Sequence, residues 1–233
     1  KWAKAGLTAF VSYEMRDFTL QDTIPGETRR GKASFKENNL SIGGVLSKKE
    51  GNTLHYNVLG ELTLTGEDSG QFNIEGRGDM NFRLFGDTIQ LGAEAYIKNL
   101  NPVFYMRHFY SKHYWWDNND LSKIMKTRIL GTLKSKKLGT EIMVGVENIK
   151  NYTYLANTSI VAQDGNGDYF KNNAEVRQQS KNIQVFSAVL NQKLRAGIFH
   201  LDGEVAYQKS SDNEVLPLPD LSVYGNLYIK TDL

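Results

Sequence analysis

Two histidines and an aspartate lie within one short segment, the combination that acid–base chemistry would need. They are His108, His113 and Asp117. A hydrolytic site requires such groups within hydrogen-bonding reach of a nucleophile or a water molecule. The other two histidines, His55 and His200, lie in no distinctive motif, and the chain has no Gly-x-Ser-x-Gly elbow. We interpret the cluster as a coincidence of composition, and we expect no catalytic residue and no enzymatic activity.

A second segment has the spacing of a calcium-binding loop. Asp164, Asn166, Asp168 and Glu175 supply oxygen atoms at loop positions one, three, five and twelve. Tyr169 occupies position six, where the motif requires glycine, and no flanking helices are predicted. We favour a polar turn, with a calcium ion bound in a surface loop as the weaker alternative, and expect no cofactor. Because cysteine is absent, disulfides, thiol catalysis and cysteine-ligated zinc are excluded.

Charged side chains of both signs recur at alternate positions along several segments. In a water-filled passage they would set the ion preference, and we predict that they line a pore. The alternative is that they pair across strands and fill the interior. The candidate pore-lining residues are Glu75, Arg77, Asp79, Arg83, Glu94, Lys126, Arg128, Glu141, Glu147, Asp202 and Glu204.

The segment 99–121 combines aromatic and charged side chains. It could form a saccharide- or peptide-stacking platform or a constriction folded into a pore. We favour an aromatic girdle at a membrane boundary together with loop packing, since such girdles are expected in membrane proteins. The residues concerned are Arg107, His108, His113, Trp115, Trp116 and Asp117.

The elements that would position these residues are β-strands. Between positions 72 and 85, apolar or small residues alternate with asparagine and charged residues, which gives a strand one apolar and one charged face. Most of the predicted strands match the ~9–11 tilted residues that cross a bilayer. Ten are predicted, near 5–16, 33–48 (with a bulge), 53–65, 71–85, 88–98, 122–135, 140–149, 182–195, 199–210 and 220–232.

The predicted connections alternate between short and long, as in an antiparallel meander with periplasmic turns and extracellular loops. The longest are 17–32, 99–121 and 150–181. Small residues on the apolar faces suit a lipid surface better than a packed core. We therefore predict an all-β fold, an antiparallel up-and-down transmembrane β-barrel of about ten visible strands in a single domain, 1–233, complete or part of a larger barrel. A soluble sandwich or lipocalin-like barrel is the alternative.

Two segments carry a family resemblance. Residues 104–118 (FYMRHFYSKHYWWDN) and 214–230 (EVLPLPDLSVYGNLYIK) resemble signatures of the putative porin family of Bacteroidota, and residues 179–184 and 207–211 also fit its pattern. The resemblance covers about residues 33–232. It implies an outer-membrane barrel of porin function, and because family members are longer, it also implies that the chain is an excerpt.

These patterns lead to a functional expectation. We expect an outer-membrane porin-like passive channel for small hydrophilic solutes. The alternative is a plugged structural or docking barrel whose long extracellular loops bind a partner protein or a glycan. The expected partners are the outer-membrane bilayer, lipopolysaccharide on its outer leaflet, the solutes themselves and an outer-membrane protein. With a net charge of +2, a nucleic-acid partner is not expected.

Overall fold

The fold is all-β and is dominated by one ten-stranded antiparallel sheet. The computed structural model describes residues 5–23, 30–51, 54–84, 86–111, 113–164 and 167–231. In chain order the elements are β1 (Gly6–Thr23), β2 (Arg30–Lys48), β3 (Leu54–Thr65), β4 (Phe72–Leu84), β5 (Asp87–Leu100), α1 (Phe104–Arg107), β6 (His108–Tyr110), β7 (Trp115–Asp117), β8 (Ile124–Ser135), β9 (Thr140–Lys150), β10 (Tyr152–Asn157), β11 (Ile160–Asp164), β12 (Gly167–Lys171), β13 (Ala174–Gln179), β14 (Ile183–Ala196), β15 (Phe199–Ser210) and β16 (Leu221–Ile229).

The large sheet is an up-and-down meander. Its strand order is β1-β2-β3-β4-β5-β8-β9-β14-β15-β16, and these ten strands correspond to the ten predicted from the sequence. Within the described residues β1 and β16 each pair on one side only, so the sheet does not close into a barrel. The described part of the chain contains no helix long and apolar enough to cross a bilayer.

The strand register joins the apolar rows of successive strands into one continuous surface, the apolar face. Ile74 on β4 pairs with Ile97 on β5, and Ile129 on β8 pairs with Val146 on β9. These side chains are exposed, Ile129 by 71%. Buried apolar side chains are few in the described residues: Leu20, Phe104, Ile149, Ile183 and Ala206. An exposed apolar surface of this extent indicates contact with lipid or with another apolar partner.

Among the described residues, the longer connections lie at one end of the sheet, which we call the loop end. They span residues 66–71, 101–123, 151–182 and 211–220. The opposite end, the turn end, has short connections such as residues 136–139 and 197–198. For these connections, the alternation of short and long predicted from the sequence is therefore confirmed.

The predicted irregularity in the second strand is also confirmed. The register of β2 against β3 shifts between Leu40 and Ser41, which marks a β-bulge. Nearby, Gly66 has a φ of +100° and packs so closely that a Cβ atom would lie 1.9 Å from the Asn38 carbonyl oxygen. Only glycine fits this turn, which brings the β3–β4 connection against β2.

The predicted loop 17–32 is wrong in its extent, because β1 continues to Thr23 and β2 begins at Arg30. Beyond Arg16 the alternation changes phase: Phe18 and Leu20 now lie on the face that carries charge elsewhere. The two other long predicted loops contain short elements that the sequence did not indicate. Residues 99–121 include α1 and the β6–β7 hairpin, and residues 150–181 form the nested pairs β10–β13 and β11–β12.

Candidate functional site

The face of the sheet opposite the apolar face, here the polar face, carries all eleven predicted pore-lining residues. The register places Arg77 on β4 opposite Glu94 on β5. It likewise places Arg128 on β8 opposite Glu147 on β9. The other seven occupy the same alternate set of their strands: Glu75, Asp79, Arg83, Lys126, Glu141, Asp202 and Glu204. The strands therefore bring the predicted residues to one surface, and their role as a pore lining remains a prediction.

Many charges on the polar face are paired within the sheet. Lys98 Nζ lies 2.8 Å from a carboxylate oxygen of Glu75 on the neighbouring strand. The Tyr96 hydroxyl donates a 2.8 Å hydrogen bond to Glu147, and His55 Nδ1 lies 3.2 Å from a carboxylate oxygen of Asp79. These contacts connect strands that are next to each other or one strand apart. These contacts lie along the polar face of the sheet, and they do not by themselves fill the space in front of that face.

A depression of about 500 Å³ lies on this face, towards the turn end. Side chains of both charge signs line it, so it can hold water and small ions of either sign. The charged and polar lining residues are Lys48, Lys49, His55, Asn57, Glu75, Arg77, Asp79 and Glu94.

At the loop end, the connection between β5 and β8 (residues 101–123, the β5–β8 loop) folds onto the polar face. Arg107 is 6% exposed. Its Nη2 donates a 2.6 Å hydrogen bond to Glu37 on β2, and its Nη1 donates a 2.7 Å bond to Glu67. Arg107 Nε also donates to the Pro102 carbonyl oxygen at 3.1 Å. The other Glu37 oxygen lies 3.2 Å from Arg16 on β1. Arg107 thereby ties the loop to strands far from those that it connects.

Aromatic rings reinforce this attachment. Phe104 stacks on Phe18 of β1, with ring centroids 3.7 Å apart and planes 6° from parallel. His108 stacks on Phe35 of β2 at 4.5 Å, and its Nδ1 lies 2.6 Å from an Asp117 oxygen. Of the favoured interpretation, an aromatic girdle at a membrane boundary together with loop packing, the structure shows the loop packing, because Phe104 and His108 pack on the polar face. The girdle stays a prediction.

The remaining predicted loop residues lie on the β6–β7 hairpin. Trp115 stacks on Tyr110 at 5.3 Å, and Trp116 stacks on Phe109 at 4.8 Å. His113 lies exposed in the turn. Of the predicted histidine–aspartate cluster, the structure therefore shows one contact, between His108 and Asp117.

The Tyr110 hydroxyl lies beside the Asp117 carboxylate in the β6–β7 hairpin. Burial and the nearby Asp117 carboxylate raise the pKa of Tyr110 above its ordinary value of 10.0. Its hydroxyl donates to Asp117 at 3.4 Å. Asp117 thus accepts from both Tyr110 and His108, which fixes the two strands of the hairpin to each other.

Several residues of this site were not predicted from the sequence. They are Phe18, Phe35, Glu37, Glu67 and Asp68. The one local signal was the change of alternation after Arg16, which places two apolar side chains on the polar face.

The calcium-loop residues do not form a cluster in the described structure. Asp168 lies on β12 and Glu175 on β13, in separate two-stranded pairs. Asn166 and the side chain of Asp164 lie outside the described residues. Across the residues that the structure does describe, no group of three or more histidine, aspartate or glutamate side chains is arranged to hold a metal ion.

A comparison with protein-family models decides the relationship. The family described as "Putative porin" matches residues 1–233. The chain belongs to the putative porin family. No curated protein and no solved structure matches it. The resemblance seen in residues 104–118 and 214–230 is therefore confirmed, and all the elements of this porin-family chain, including the β5–β8 loop, lie within the matched region.

Proposed function

We propose that this porin-family chain forms the wall of an outer-membrane channel through which small hydrophilic solutes diffuse passively. The observation that carries the proposal is the pairing of two continuous faces on one sheet. One face exposes aliphatic and aromatic side chains over every strand, and the other carries charges of both signs. A wall between lipid and water has this composition, whereas a soluble sandwich buries its apolar face.

In this proposal the loop end faces the cell exterior and the turn end faces the periplasm, as is usual for outer-membrane barrels. The apolar face contacts the acyl chains, and the loop end lies next to lipopolysaccharide on the outer leaflet. The wall charges, including Arg77 and Arg128, contact water and passing solutes. The proposal involves no cofactor and no covalent step.

A second candidate is a plugged barrel that serves as a structural or docking protein. The β5–β8 loop favours it, because this loop covers part of the polar face. The β10–β13 arm, which extends from the loop end, would then offer a surface to a protein partner or a glycan. Strand number would separate the candidates, since the interior width of a barrel grows with the number of strands.

We do not assign hydrolysis to the His108–Asp117 pair. His108 is buried against Phe35, and the hydroxyl hydrogen-bonded to Asp117 is that of Tyr110, which has a high pKa. This arrangement suits a structural clamp. Loss of a hydrolytic activity in His108→Ala would contradict this assignment.

Single-channel conductance of the purified full-length protein in a planar bilayer tests the proposal. We expect stable ohmic steps. Reversing Arg77, Arg83 or Arg128 to glutamate should shift the reversal potential towards cation preference. The matched control is Lys181→Glu, an exposed cation at the loop end outside the polar face. Absence of steps from a folded, heat-modifiable barrel would contradict the channel and support the plugged barrel.

A further inference from the structure

We propose that the β5–β8 loop is a fixed constriction at the loop end of the channel, and that Arg107 is the positioning residue that holds it across the opening. This inference rests on the proposed function, because a constriction limits the size of solutes only where solutes pass. Its structural part, the latch between loop and wall, can be tested without any measurement of conduction.

The topology shows how far the loop reaches. It leaves the sheet at β5 and returns at β8, yet Phe104 and Arg107 contact β1 and β2. In the sheet, β2 lies three strands from β5, and β1 lies four strands away. With neighbouring strands about 4.8 Å apart, the loop reaches roughly 14–19 Å along the loop end of the sheet, past the β3–β4 turn, where Arg107 also bonds Glu67. A loop that only capped its own strands would have no reason to extend so far.

The loop is attached through a buried ionic contact between Arg107 and Glu37, which we call the latch. Glu37 is 5% exposed and lies between the guanidinium groups of Arg107 and Arg16. A carboxylate at such a site is tolerated only while its cations remain in place, because a buried unpaired charge is very unfavourable. The bond from Arg107 to Glu37 is also short and charge-assisted. Withdrawal of Arg107 would therefore be strongly opposed.

Hydrogen bonds also hold the first and last residues of the loop. At its start, the Asn101 side chain donates to the Glu67 carbonyl oxygen at 2.8 Å and to the Asp68 carboxylate at 2.9 Å. Asp68 in turn contacts Arg16 and accepts a bond from Asn39 at 3.1 Å. The start of the loop is thereby joined to the β3–β4 turn and to β1 and β2.

At the end of the loop, the Gln178 side chain on β13 donates to the Ser122 carbonyl oxygen at 2.7 Å and accepts from the Ser122 amide at 3.0 Å. Closer to the hairpin, the Asn118 amide donates to the Arg107 carbonyl oxygen at 2.6 Å. A segment held at its start, middle and end is a static element, whereas a lid needs a free margin that can move.

The latch is tested first by protease protection, because this readout needs no channel activity. Trypsin cleaves after arginine, and cleavage at a buried site follows the population of opened chains. In folded protein, Glu37→Gln should make cleavage after Arg107 at least about tenfold faster, since the mutation removes the charge that holds the guanidinium. The control is Glu175→Gln, which removes an exposed partner of Arg177 and should leave cleavage after Arg107 unchanged. Equal cleavage after Arg107 in wild type and Glu37→Gln would overturn the latch.

The constriction is tested by conductance and by the size of the polyethylene glycols that enter the channel and reduce the current. Arg107→Ala should raise the conductance and admit larger polymers, Arg107→Lys should lie between it and wild type, and Arg177→Ala should match wild type. Unchanged conductance and size cut-off in Arg107→Ala would overturn the constriction. So would switching of the wild-type current between two levels that Arg107→Ala abolishes, because it would show a moving lid. A wild-type protein that never conducts would contradict the proposed function, while the protease result would still decide the latch.

Discussion

The body of the sheet and the loop end of its first hairpin, β1–β2, carry their apolar residues on opposite faces. In the body of β1, the residues on the apolar face include Leu7, Val11 and Tyr13, all strongly exposed. Past Arg16 the apolar residues Phe18 and Leu20 lie on the other side, and Leu20 is buried. One continuous strand thus changes its apolar side part-way along its length.

The difference shows that the alternation of apolar and polar residues along a strand depends on what each of its two faces contacts. Where a strand separates lipid from water, its outer residues are apolar and its inner residues are charged. Where a loop packs against the inner side, that side becomes apolar and Phe104 fills it. The phase change after Arg16 therefore marks where the polar face becomes a packing surface for the β5–β8 loop.

The largest expected effect comes from removing the packing at the loop end of β1 and β2, where apolar residues lie on the polar face; we call this the inverted end. Phe104→Ala deletes a ring that is 5% exposed and stacked on Phe18, and it should destabilise the attachment of the loop by about 3–5 kcal/mol. Hydrogen exchange of the β6–β7 amides should accelerate, while the amides of β8 and β9 stay protected. Tyr105→Ala is the matched control, because Tyr105 is 56% exposed. Equal acceleration of exchange in both variants would show that the attachment of the β5–β8 loop does not depend on the buried Phe104 ring.

A charge placed on either face of the sheet body tests the other half of the comparison. Val144 and Met143 are neighbours on β9 whose side chains point to opposite faces. Val144→Lys should destabilise the folded protein by about 2–4 kcal/mol in lipid vesicles, because lysine near the bilayer midplane is unfavourable. Met143→Lys, on the polar face, should have less than half that effect. Urea unfolding in vesicles measures both, and a larger loss for Met143→Lys would reverse our assignment of the faces.

A smaller effect is expected from the hydrogen bonds of the wall. Tyr96→Phe removes the donor to Glu147 and should lower the free energy of unfolding by about 1 kcal/mol. Tyr13→Phe is the control, because Tyr13 lies on the apolar face and is 62% exposed. If both substitutions had the same effect, the wall hydrogen bonds would not distinguish the polar face.

The smallest effect is a pH dependence confined to the inverted end. Burial and Asp117 raise the pKa of Tyr110, so the folded hairpin favours the protonated hydroxyl. The resulting stabilisation is complete below the ordinary pKa of 10.0 and is lost as pH rises through the higher folded value. Tryptophan emission, which reports on Trp115 beside Tyr110, should change at alkaline pH in wild type and less in Tyr110→Phe. Identical titrations would contradict the assignment.

The sequence alone predicted the parts of the fold that depend on local patterns. Alternation located all ten strands of the sheet, turn residues located the short connections, and an interrupted alternation indicated the bulge near Leu40. The polar rows also placed charges such as Arg77 and Glu94 on one face, because side-chain direction in a strand has a fixed period of two.

The attachment of the β5–β8 loop could not be predicted in the same way. Its central contact joins Glu37 and Arg107, which are separated by 70 positions in the chain. Nothing in the residues around either one indicates the other, since the contact depends on the sheet bringing β2 within reach of the loop. The aromatic segment was recognised, but its position over the polar face follows from three-dimensional packing.

The central claim is that the polar face borders water while the apolar face borders lipid, and cysteine scanning along β4 tests it most directly. The chain contains no cysteine, so single cysteines can be placed at 73, 75, 77 and 79 and, as controls, at 74, 76 and 78. In planar bilayers, a charged, membrane-impermeant thiol reagent should change the conductance of the first set and leave the second set unchanged. Modification without this period of two, or a response confined to 74, 76 and 78, would contradict the account.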